Sequence, residues 1–334
     1  MVLGFSISDK TTGWNNPNKT KAQKELLSFR GSLLNKRMNY ALDYKVKLTK
    51  RRIKAAIDKY GEENCYVSFS GGKDSTILSH IVLSMGYKLE HVFSNTRLEY
   101  HECITFSEEW CKENDVKLTM VYPDIKPQEI WQKYGYPLYS KEIAEFFERA
   151  RHGGKLPPKH IKKIERYVRK IGYKGEMEDR EKLKNFLTYR GIKVSSKCCL
   201  LLKKKPMKKW QEESGKKVAI MGVRAEESQM RRVVWVRKGC IYETKDQVVV
   251  HPIIFFTDKD VHKYAKKHKI RFADIYYEPY NLKRNGCYCC GFGSHIAEEN
   301  NFIKLKQINP VLWKNVTNHW GYGKICKRCN VKIE

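Results

Sequence analysis

The sequence predicts an α/β protein built on a Rossmann-like, doubly wound and mainly parallel sheet. Short apolar runs rich in β-branched and aromatic residues alternate with helical patterns over much of the chain. A Ser-Gly-Gly turn separates the first of these runs from the helical pattern that follows it. The 334 residues are enough for a large α/β core with additions. Because strands joined by helices pair in parallel with right-handed crossovers, we expect one parallel sheet.

The elements of the first part follow in order. Residues 1–60 form a predicted N-terminal helical segment, in which Lys21–Tyr60 has helical apolar spacing and many cationic positions. Strands are predicted at Cys65–Phe69, Leu89–Asn95 and Val116–Tyr122, with a helix at Tyr100–Asn114.

The second part interrupts and then resumes this pattern. Residues 140–196 are polar, rich in Lys and Arg, and predicted to form a basic helical insertion. The nucleotide-binding α/β domain therefore comprises 61–139 and 197–291, and 292–334 form a C-terminal helical, Cys-rich segment. Within 197–291 we expect a strand at Val218–Val223, a hairpin of Val233–Val236 with Val248–Ile254, and a helix at Asp258–His268.

One strand–turn–helix junction has the composition of an anion site. Its residues, called the Ser70–Ser75 loop below, are Ser70, Gly71, Gly72, Lys73, Asp74 and Ser75. The glycines allow a tight turn in which backbone N–H groups and the helix N-terminus surround a phosphate. Lys73 is predicted to neutralise phosphate oxygens and Asp74 to hold Mg²⁺. The spacing differs from that of a Walker A loop, and the alternative is a Gly-Gly turn that binds nothing.

Ligands of parallel sheets bind beyond the carboxyl ends of the strands. Asn95 and Thr96 lie at the carboxyl end of one predicted strand and Gly222 and Arg224 at that of another, so all four are candidate nucleotide-binding residues. Arg224 and Arg231 are expected to bind phosphates through paired hydrogen bonds. The alternative for both arginines is ion pairing with the nearby glutamates at 226 and 227.

The chain has eleven cysteines, which in a protein expected to be intracellular favour metal, cluster or redox chemistry over a disulfide framework. Cys198, Cys199, Cys287 and Cys290 supply four thiolates in two pairs, which suits a [4Fe–4S] cluster or Zn²⁺. Adjacent cysteines are awkward around one zinc ion, so we expect the cluster. Buried cysteines without a ligand are the alternative. The roles of Cys289 and of the Cys326-x-x-Cys329 pair stay open.

Lys and Arg number 66 against 37 Asp and Glu, a formal net charge of +29. This excess favours an anionic partner such as DNA or tRNA, and the cations concentrated at Lys155–Lys174 and Lys193–Lys209 are the predicted contact surface. A merely solvated surface is the alternative. No apolar run approaches a membrane span and no leader pattern is seen, so we expect a cytoplasmic protein, as a monomer or an oligomer, without a membrane partner.

The Ser70–Ser75 loop resembles the pyrophosphate loop of the adenine-nucleotide α-hydrolase superfamily. Four further segments resemble the reductases of adenylyl sulfate (APS) and its 3′-phosphate (PAPS), in that family's order: Phe93–Glu99, Lys197–Met207, Gly222–Arg231 and His251–Cys290. The resemblance covers residues 65–291 except the insertion. It implies an adenine nucleotide, ATP or APS/PAPS, at the loop, and catalytic roles for Lys73, Asp74, Arg224 and Arg231.

Three functions are compatible with this resemblance. The intact loop and the basic surface favour an ATP pyrophosphatase that adenylates a substrate for sulfur transfer, as in tRNA thiolation or DNA phosphorothioation. Such an enzyme needs a sulfur donor, for example a cysteine desulfurase, or a thiol reductant. The first alternative is an APS/PAPS reductase that releases sulfite, although this chain lacks that family's Glu-Cys-Gly-type nucleophile near its C-terminus. The second alternative is a non-catalytic nucleic-acid-binding protein on the same fold.

Overall fold

The computed structural model describes residues 20–296 and 300–333, so residues 1–19 of the predicted N-terminal segment lie outside the described residues. The chain forms two compact units. The first comprises the described residues up to Ser94 together with His101–Val121 and Lys208–Asn285. The second comprises Asn95–Tyr100, Tyr122–Met207 and the described residues from Gly286 onward. The predicted insertion and the predicted C-terminal segment thus belong to the same unit.

A six-stranded sheet forms the centre of the first unit, and it confirms the predicted fold class. Its strands stand in the order β3-β2-β1-β5-β7-β6. They are β1 Cys65–Phe69, β2 Glu90–Ser94, β3 Leu118–Val121, β5 Val218–Met221, β6 Ile241–Glu243 and β7 Val248–Val250. Every pairing is parallel except that of β6 with β7. The β1 strand is central, and its burial explains its near-continuous apolar sequence.

Helices of the first unit cover this sheet. They are α1 Lys21–Met38, α2 Leu42–Tyr60, α3 Lys73–Leu83, α4 His101–Glu113, α11 Gln229–Lys238 and α12 Asp258–His268. The apolar positions Ile77, Leu78, Ile81 and Val82 of α3 are fully buried, as their helical spacing predicts. The α12 helix begins at Thr257, whose side chain forms a reciprocal capping box with Asp260.

The predicted hairpin is wrong in its first arm. Residues 233–236 lie inside α11, which begins at the Ser228 cap and ends at Gly239 with φ of +81°. Burial of Trp235 against Phe255 in the core of this unit outweighs the β propensity of the three valines beside it. The strand that pairs with β7 is instead β6.

The second unit is mainly helical. Its helices include α5 Pro127–Tyr134, α6 Lys141–Arg151, α7 Pro158–Lys170, α8 Arg180–Tyr189 and α9 Lys197–Cys199, then α13 Asn301–Ile308, α14 Pro310–Lys314 and α15 Tyr322–Arg328. A π-helix at Leu200–Lys204 joins α9 to α10 Lys205–Ser214, which continues into the first unit. Two short parallel strands, β4 Leu138–Tyr139 and β8 Gly291–Phe292, pair within this unit.

One apolar core runs through the second unit. The fully buried Trp131 and Tyr322 lie within it, and so do the side chains of Cys198, Cys289 and Cys326. The cysteines therefore belong to the packed interior of this unit rather than to a surface loop. Among the described residues, the helices lack the length and apolar character needed to cross a membrane.

Candidate functional site

The Ser70–Ser75 loop follows β1 and leads directly into α3, as predicted. Gly71 has φ of +65°, a conformation that favours glycine, and Gly72 is the N-cap of α3. The Ser75 hydroxyl donates to the Gly72 carbonyl over 2.9 Å and accepts from the Ser70 amide at 3.3 Å. Asn285 donates to the Ser70 carbonyl over 2.8 Å. These bonds fix the turn at the carboxyl end of the central strand, where a parallel sheet binds ligands.

Two glycines permit close approach of backbone around this loop. A Cβ on Gly71 would lie 2.6 Å from the carbonyl oxygen of Cys103. A Cβ on Gly222 would lie 2.9 Å from the backbone of Asp74 and of Ser75. Gly222 therefore lets the segment after β5 contact the first turn of α3. The structure places Gly222 beside the Ser70–Ser75 loop, as the sequence predicts.

Lys73 is the first residue of α3. Its Nζ lies 3.7 Å from Asp258 Oδ1 and 5.2 Å from the centre of the Tyr276 ring, and its backbone amide donates to the Tyr276 hydroxyl. Because the Lys73 ammonium is only loosely paired with Asp258, its three N–H donors are available to a phosphate.

Arg224 lies at the centre of three carboxylates. Its guanidinium is 2.7 Å from Asp74, 3.1 Å from Glu226 and 3.4 Å from Asp258. The Asp74 contact is an ion pair without the alignment of a hydrogen bond. Burial raises the pKa of Asp74, while Arg224 and Lys73 lower it. Arg224 thus satisfies the ion-pairing alternative and positions Asp74.

Arg231 makes an ion pair with Glu227, whose carboxylate also accepts from the Arg224 amide over 3.0 Å. Burial lowers the pKa of Arg231, Asp74 raises it, and the charges of Arg284 and Arg224 lower it further. Arg284 also donates to the Glu227 carbonyl over 3.4 Å. Arg231 and Arg284 repel each other and lie near the single carboxylate of Glu227. A bound anion such as phosphate would reduce this repulsion.

Asn95 and Thr96 follow β2 but belong to the second unit. The Asn95 side chain accepts from the Arg97 amide at 2.8 Å, which forms a local turn. The Thr96 hydroxyl donates to Glu99 and lies 3.4 Å from Cys287 Sγ. Thr96 is therefore placed with the cysteines, and its nucleotide role stays a prediction.

The second unit brings the four predicted cysteines together. Burial raises the pKa of the Cys198 thiol, and the nearby thiols of Cys287, Cys199 and Cys290 raise it further. Burial likewise raises the pKa of Cys290 to about 12. Cys198 is buried and the other three are partly exposed. Four neighbouring thiols that would repel one another as thiolates need a cationic centre to ionise together.

A hydrogen-bond donor and a cation lie beside this set, called the cysteine quartet below. Trp131 Nε1 donates to Cys198 Sγ over 3.4 Å. Although burial disfavours the charge of Lys203, Cys287 and Glu99 raise its pKa, and its Nζ lies 3.3 Å from Glu99. Such donors stabilise the negative charge of a ligated cluster.

A buried hydroxyl also lies near part of the quartet. Tyr322 is fully buried, and its hydroxyl lacks a hydrogen-bond partner within the described part of the chain. Burial raises the pKa of Tyr322, and the cysteines at 289, 198 and 290 raise it further. A buried donor without a described partner, close to Cys198 and Cys290 of the quartet, fits a site built for a sulfur-rich group.

The described residues do not form a site for a single metal ion. Across residues 20–296 and 300–333, no three His, Cys, Asp or Glu side chains converge closely enough to hold one metal ion. In a [4Fe–4S] cluster each thiolate binds a separate iron, so its four sulfurs stand farther apart than around one zinc. Both the cluster and the Mg²⁺ at Asp74 stay predictions. Mg²⁺ commonly takes one carboxylate and completes its shell with phosphate oxygens and water.

The Cys326-x-x-Cys329 pair is buried, and burial raises the pKa of Cys329 to about 12. The Tyr139 hydroxyl donates to the Cys329 carbonyl over 2.6 Å. The pair is therefore unsuited to act as an exposed thiolate in this conformation.

Sequence reasoning missed several residues that complete these surroundings. They are Tyr276, Asp258 and Asn285 at the loop, and Trp131 and Tyr322 at the quartet. Each lies far along the chain from the motif it contacts, and no spacing rule signals such contacts.

Comparison with known proteins gives a family match. The family model described as "Phosphoadenosine phosphosulfate reductase domain" matches residues 64–172 and 154–291. The matched residues span more than half of the chain and include the Ser70–Ser75 loop and the cysteine quartet.

Individual proteins are less similar. An uncharacterized protein of Methanocaldococcus jannaschii is 23% identical over 261 residues, 77% of this chain and 48% of that protein. A phosphoadenosine 5′-phosphosulfate reductase of Alkalilimnicola ehrlichii is 33% identical over 81 residues, 23% of this chain and 30% of that protein. The chain thus spans at most about half the length of these curated relatives. Among solved structures, the U34-tRNA thiolase NcsA of Methanococcus maripaludis with its [4Fe–4S] cluster overlaps at a TM-score of 0.36 and 13% identity, covering 89% of this chain and 84% of that one.

Proposed function

Because the chain belongs to the phosphoadenosine phosphosulfate reductase family, we propose that it is an ATP pyrophosphatase of that family, which adenylates a substrate so that sulfur can displace AMP. The observation that carries this proposal is the intact Ser70–Ser75 loop between β1 and α3. Lys73 begins the helix there with its ammonium only loosely paired. This arrangement suits a departing pyrophosphate.

In the proposed reaction an oxygen of the substrate attacks the α-phosphorus of ATP. The bond from that phosphorus to the β,γ-diphosphate breaks, and pyrophosphate leaves with the bonding electron pair. Lys73 and the loop N–H groups stabilise the charge that develops on pyrophosphate. Asp74 and the phosphate oxygens would hold Mg²⁺, which neutralises the same charge. Sulfur at the oxidation level of hydrosulfide then displaces AMP, and this step needs no oxidant or reductant.

The acceptor we propose is a nucleic acid, DNA or tRNA, because the chain carries a net charge of +29 that a small nucleotide does not require. The sulfur donor is a hydrosulfide. A persulfide, such as a cysteine desulfurase supplies, would also require a thiol, which reduces the substrate-bound disulfide that forms when the persulfide displaces AMP. The cysteine quartet would hold a [4Fe–4S] cluster, which binds sulfur or exchanges electrons when present.

A reductase of APS or PAPS is the second candidate, favoured by the name of the matching family. Reduction requires an accessible thiolate that attacks the sulfur of the nucleotide. Burial of Cys326 and Cys329 and their raised pKa values argue against that role for the C-terminal pair. The intact loop favours the pyrophosphatase.

Pyrophosphate release from ATP, with and without added tRNA or DNA, tests the proposal. Wild-type protein should release pyrophosphate, and Lys73→Ala should reduce the rate at least a hundredfold, since one preorganised charge contact is worth about 10²–10³ in rate. Lys88→Ala is the matched control, because Lys88 is exposed and contacts Asp115 away from the loop. Equal turnover by Lys73→Ala would overturn the loop assignment. Sulfite release from APS without ATP turnover would favour the reductase, and neither activity would favour a binding protein.

A further inference from the structure

Three arginines surround two aromatic rings in the first unit. The Cζ atoms of Arg30 and Arg37 each lie 5.8 Å from the centre of the Trp235 ring. Those of Arg37 and Arg52 lie 5.4 and 4.4 Å from the centre of the Phe255 ring. The two rings pack edge to face at 5.3 Å. We call Arg30, Arg37 and Arg52 the arginine triad; α1 supplies the first two and α2 the third.

The triad has no acidic partner within the described residues. Arg30 donates to the backbone carbonyls of Arg237 and Trp235, and Arg52 donates to that of Pro252. Each guanidinium has five N–H donors, so most donors of the triad are not used by the described side chains. All three side chains are partly exposed.

The charges of the triad act on one another. Burial lowers the pKa of Arg52, Cys240 raises it, and the charges of Arg37 and Arg51 lower it further. Burial also lowers the pKa of Arg30, to which the charge of Arg37 contributes. A bound anion stabilises half-buried cations that repel one another. Guanidinium groups that stack on aromatic rings also keep their edges free to bind phosphate.

The positive charge of the surrounding helices is similarly unbalanced. Residues 20–60 contain twelve Lys and Arg against three Asp and Glu. The α11 helix adds four cations, of which Arg231 is ion-paired with Glu227, and no acidic residue of its own. Among these, Arg232 contacts Asn35 and Met38 rather than a carboxylate. This excess extends over more surface than one small anion covers, and it matches a polyanion.

The predicted contact surface in the insertion differs from this. Some of its cations are ion-paired, among them Lys163 with Glu142 and Arg169 with Glu165. Lys162 and Arg166 of α7 lack such partners among the described residues and offer a comparison of equal charge.

We propose that the arginine triad, extended by α11, is the surface that binds the phosphodiester backbone of a nucleic acid. The inference rests on the proposed nucleic-acid acceptor and places its contact on the first unit, at the rings of Trp235 and Phe255. The triad neutralises backbone phosphates and the free guanidinium edges bind their oxygens in pairs.

Binding without ATP tests this surface separately from the chemistry. Anisotropy of a fluorescein-labelled 20-nucleotide single-stranded RNA, titrated at several KCl concentrations, gives the slope of log K against log salt. Because each phosphate contact on a single strand contributes about 0.7 to that slope, Arg37→Gln/Arg52→Gln should flatten it by about 1.4. Lys162→Gln/Arg166→Gln should leave the slope of the wild-type protein unchanged.

Three controls make the result decisive. Arg37→Gln alone, whose side chain makes only ring contacts in the described residues, should flatten the slope by about 0.7 and keep the wild-type thermal midpoint. Arg37→Lys should keep the slope, since it keeps the charge. Inorganic pyrophosphate at equal phosphate concentration should compete poorly with the RNA. No RNA binding by the wild-type protein, a flatter slope only in the insertion variant, or efficient competition by pyrophosphate would each overturn the proposal. In all these cases pyrophosphate release from ATP still reports on the proposed function.

Discussion

The Arg224 guanidinium holds the Asp74 carboxylate at the first turn of α3, with Nε 2.7 Å from Oδ1. Arg224 follows β5 and Asp74 follows β1, so this ion pair joins the ends of two adjacent parallel strands. Both side chains are largely buried. Burial raises the pKa of Asp74 while Arg224 lowers it, and the arginine therefore favours the ionised carboxylate that binding of Mg²⁺ would require.

Replacing Arg224 by Met should leave that buried carboxylate without its main counter-charge. We expect the free energy of unfolding at pH 7 to fall by about 3–5 kcal/mol, measured by urea denaturation. Arg271→Ala is the matched control, because Arg271 pairs with Asp274 on the exposed surface, where a pair is worth less than about 1 kcal/mol. The double variant Asp74→Asn/Arg224→Met should recover part of the loss. Equal effects of Arg224→Met and Arg271→Ala would contradict the role of this pair.

Gly222→Ala should displace the first turn of α3. Its added Cβ would lie 2.9 Å from the backbone of Asp74, which cannot move without moving the loop. We expect a loss of about 1–3 kcal/mol of stability and weaker binding of ATP, measured by urea denaturation and calorimetry. The matched control is Gly31→Ala, where a Cβ meets nothing within 4 Å in the middle of α1. That change should stabilise the protein by up to about 1 kcal/mol. A Gly222→Ala variant that binds ATP as tightly as the wild type would contradict the close approach.

Local patterns predicted most of the sheet. The bounds of β1 and of α12 agree with their predicted ranges, because burial and capping act within each segment. The helical nature of the insertion also followed from its spacing. The failure at Val233–Val236 has a tertiary cause, since packing of Trp235 against Phe255 overrides local β propensity.

The candidate site was predictable where a motif is contiguous. The loop and the paired cysteines could be found from their spacing, but the three carboxylates around Arg224 and the donors around Cys198 could not. These partners meet only after folding. The arginine triad was equally hidden, because net charge says nothing about which cations lack a partner.

The cysteine quartet should bind iron and sulfide. Anaerobically purified protein is expected to be brown, with about four irons and four sulfides per chain. Changing Cys198, Cys199, Cys287 or Cys290 to Ser should reduce the iron content, measured with acid-labile sulfide. Cys240→Ser is the control, since Cys240 contacts Trp235 in the first unit. A colourless protein with one zinc per chain would show that the site is structural instead.

Tyr322→Phe tests the same site by removing a buried hydroxyl close to it. In protein without the cluster, removing a buried hydroxyl that lacks a described partner should raise stability by about 1 kcal/mol or more. If that hydroxyl donates to a cluster sulfur, its loss should lower the reduction potential, because a donor stabilises the more negative, reduced state. Electrochemistry and EPR of the loaded protein measure this. The control is Tyr189→Phe, a change at an exposed tyrosine. An unchanged potential would contradict an interaction between Tyr322 and the cluster.

His91 should make the stability of the first unit depend on pH. It is fully buried on β2, with Nε2 2.6 Å from the Ser79 hydroxyl and Nδ1 2.9 Å from the Leu89 carbonyl. Burial lowers the pKa of His91 from 6.5 to about 4, so between these values the unfolded chain binds more protons than the folded one. The free energy of unfolding therefore rises with pH in this window and falls as the pH drops. From pH 7 to pH 5 the expected loss is about 2 kcal/mol.

His91→Gln should lower stability at pH 7, because the buried hydrogen bonds are altered, and should also flatten this pH dependence. His101→Gln, at an exposed position, should leave it unchanged. Urea denaturation at pH 5, 6 and 7 measures the free energy of unfolding of both variants. Subtracting one from the other at each pH removes the contribution of the titratable groups that the two variants share. His251 is also buried with a pKa lowered to about 4, so His91→Gln should leave roughly half of the effect. An unchanged slope in His91→Gln would mean that His91 does not remain neutral in the folded protein.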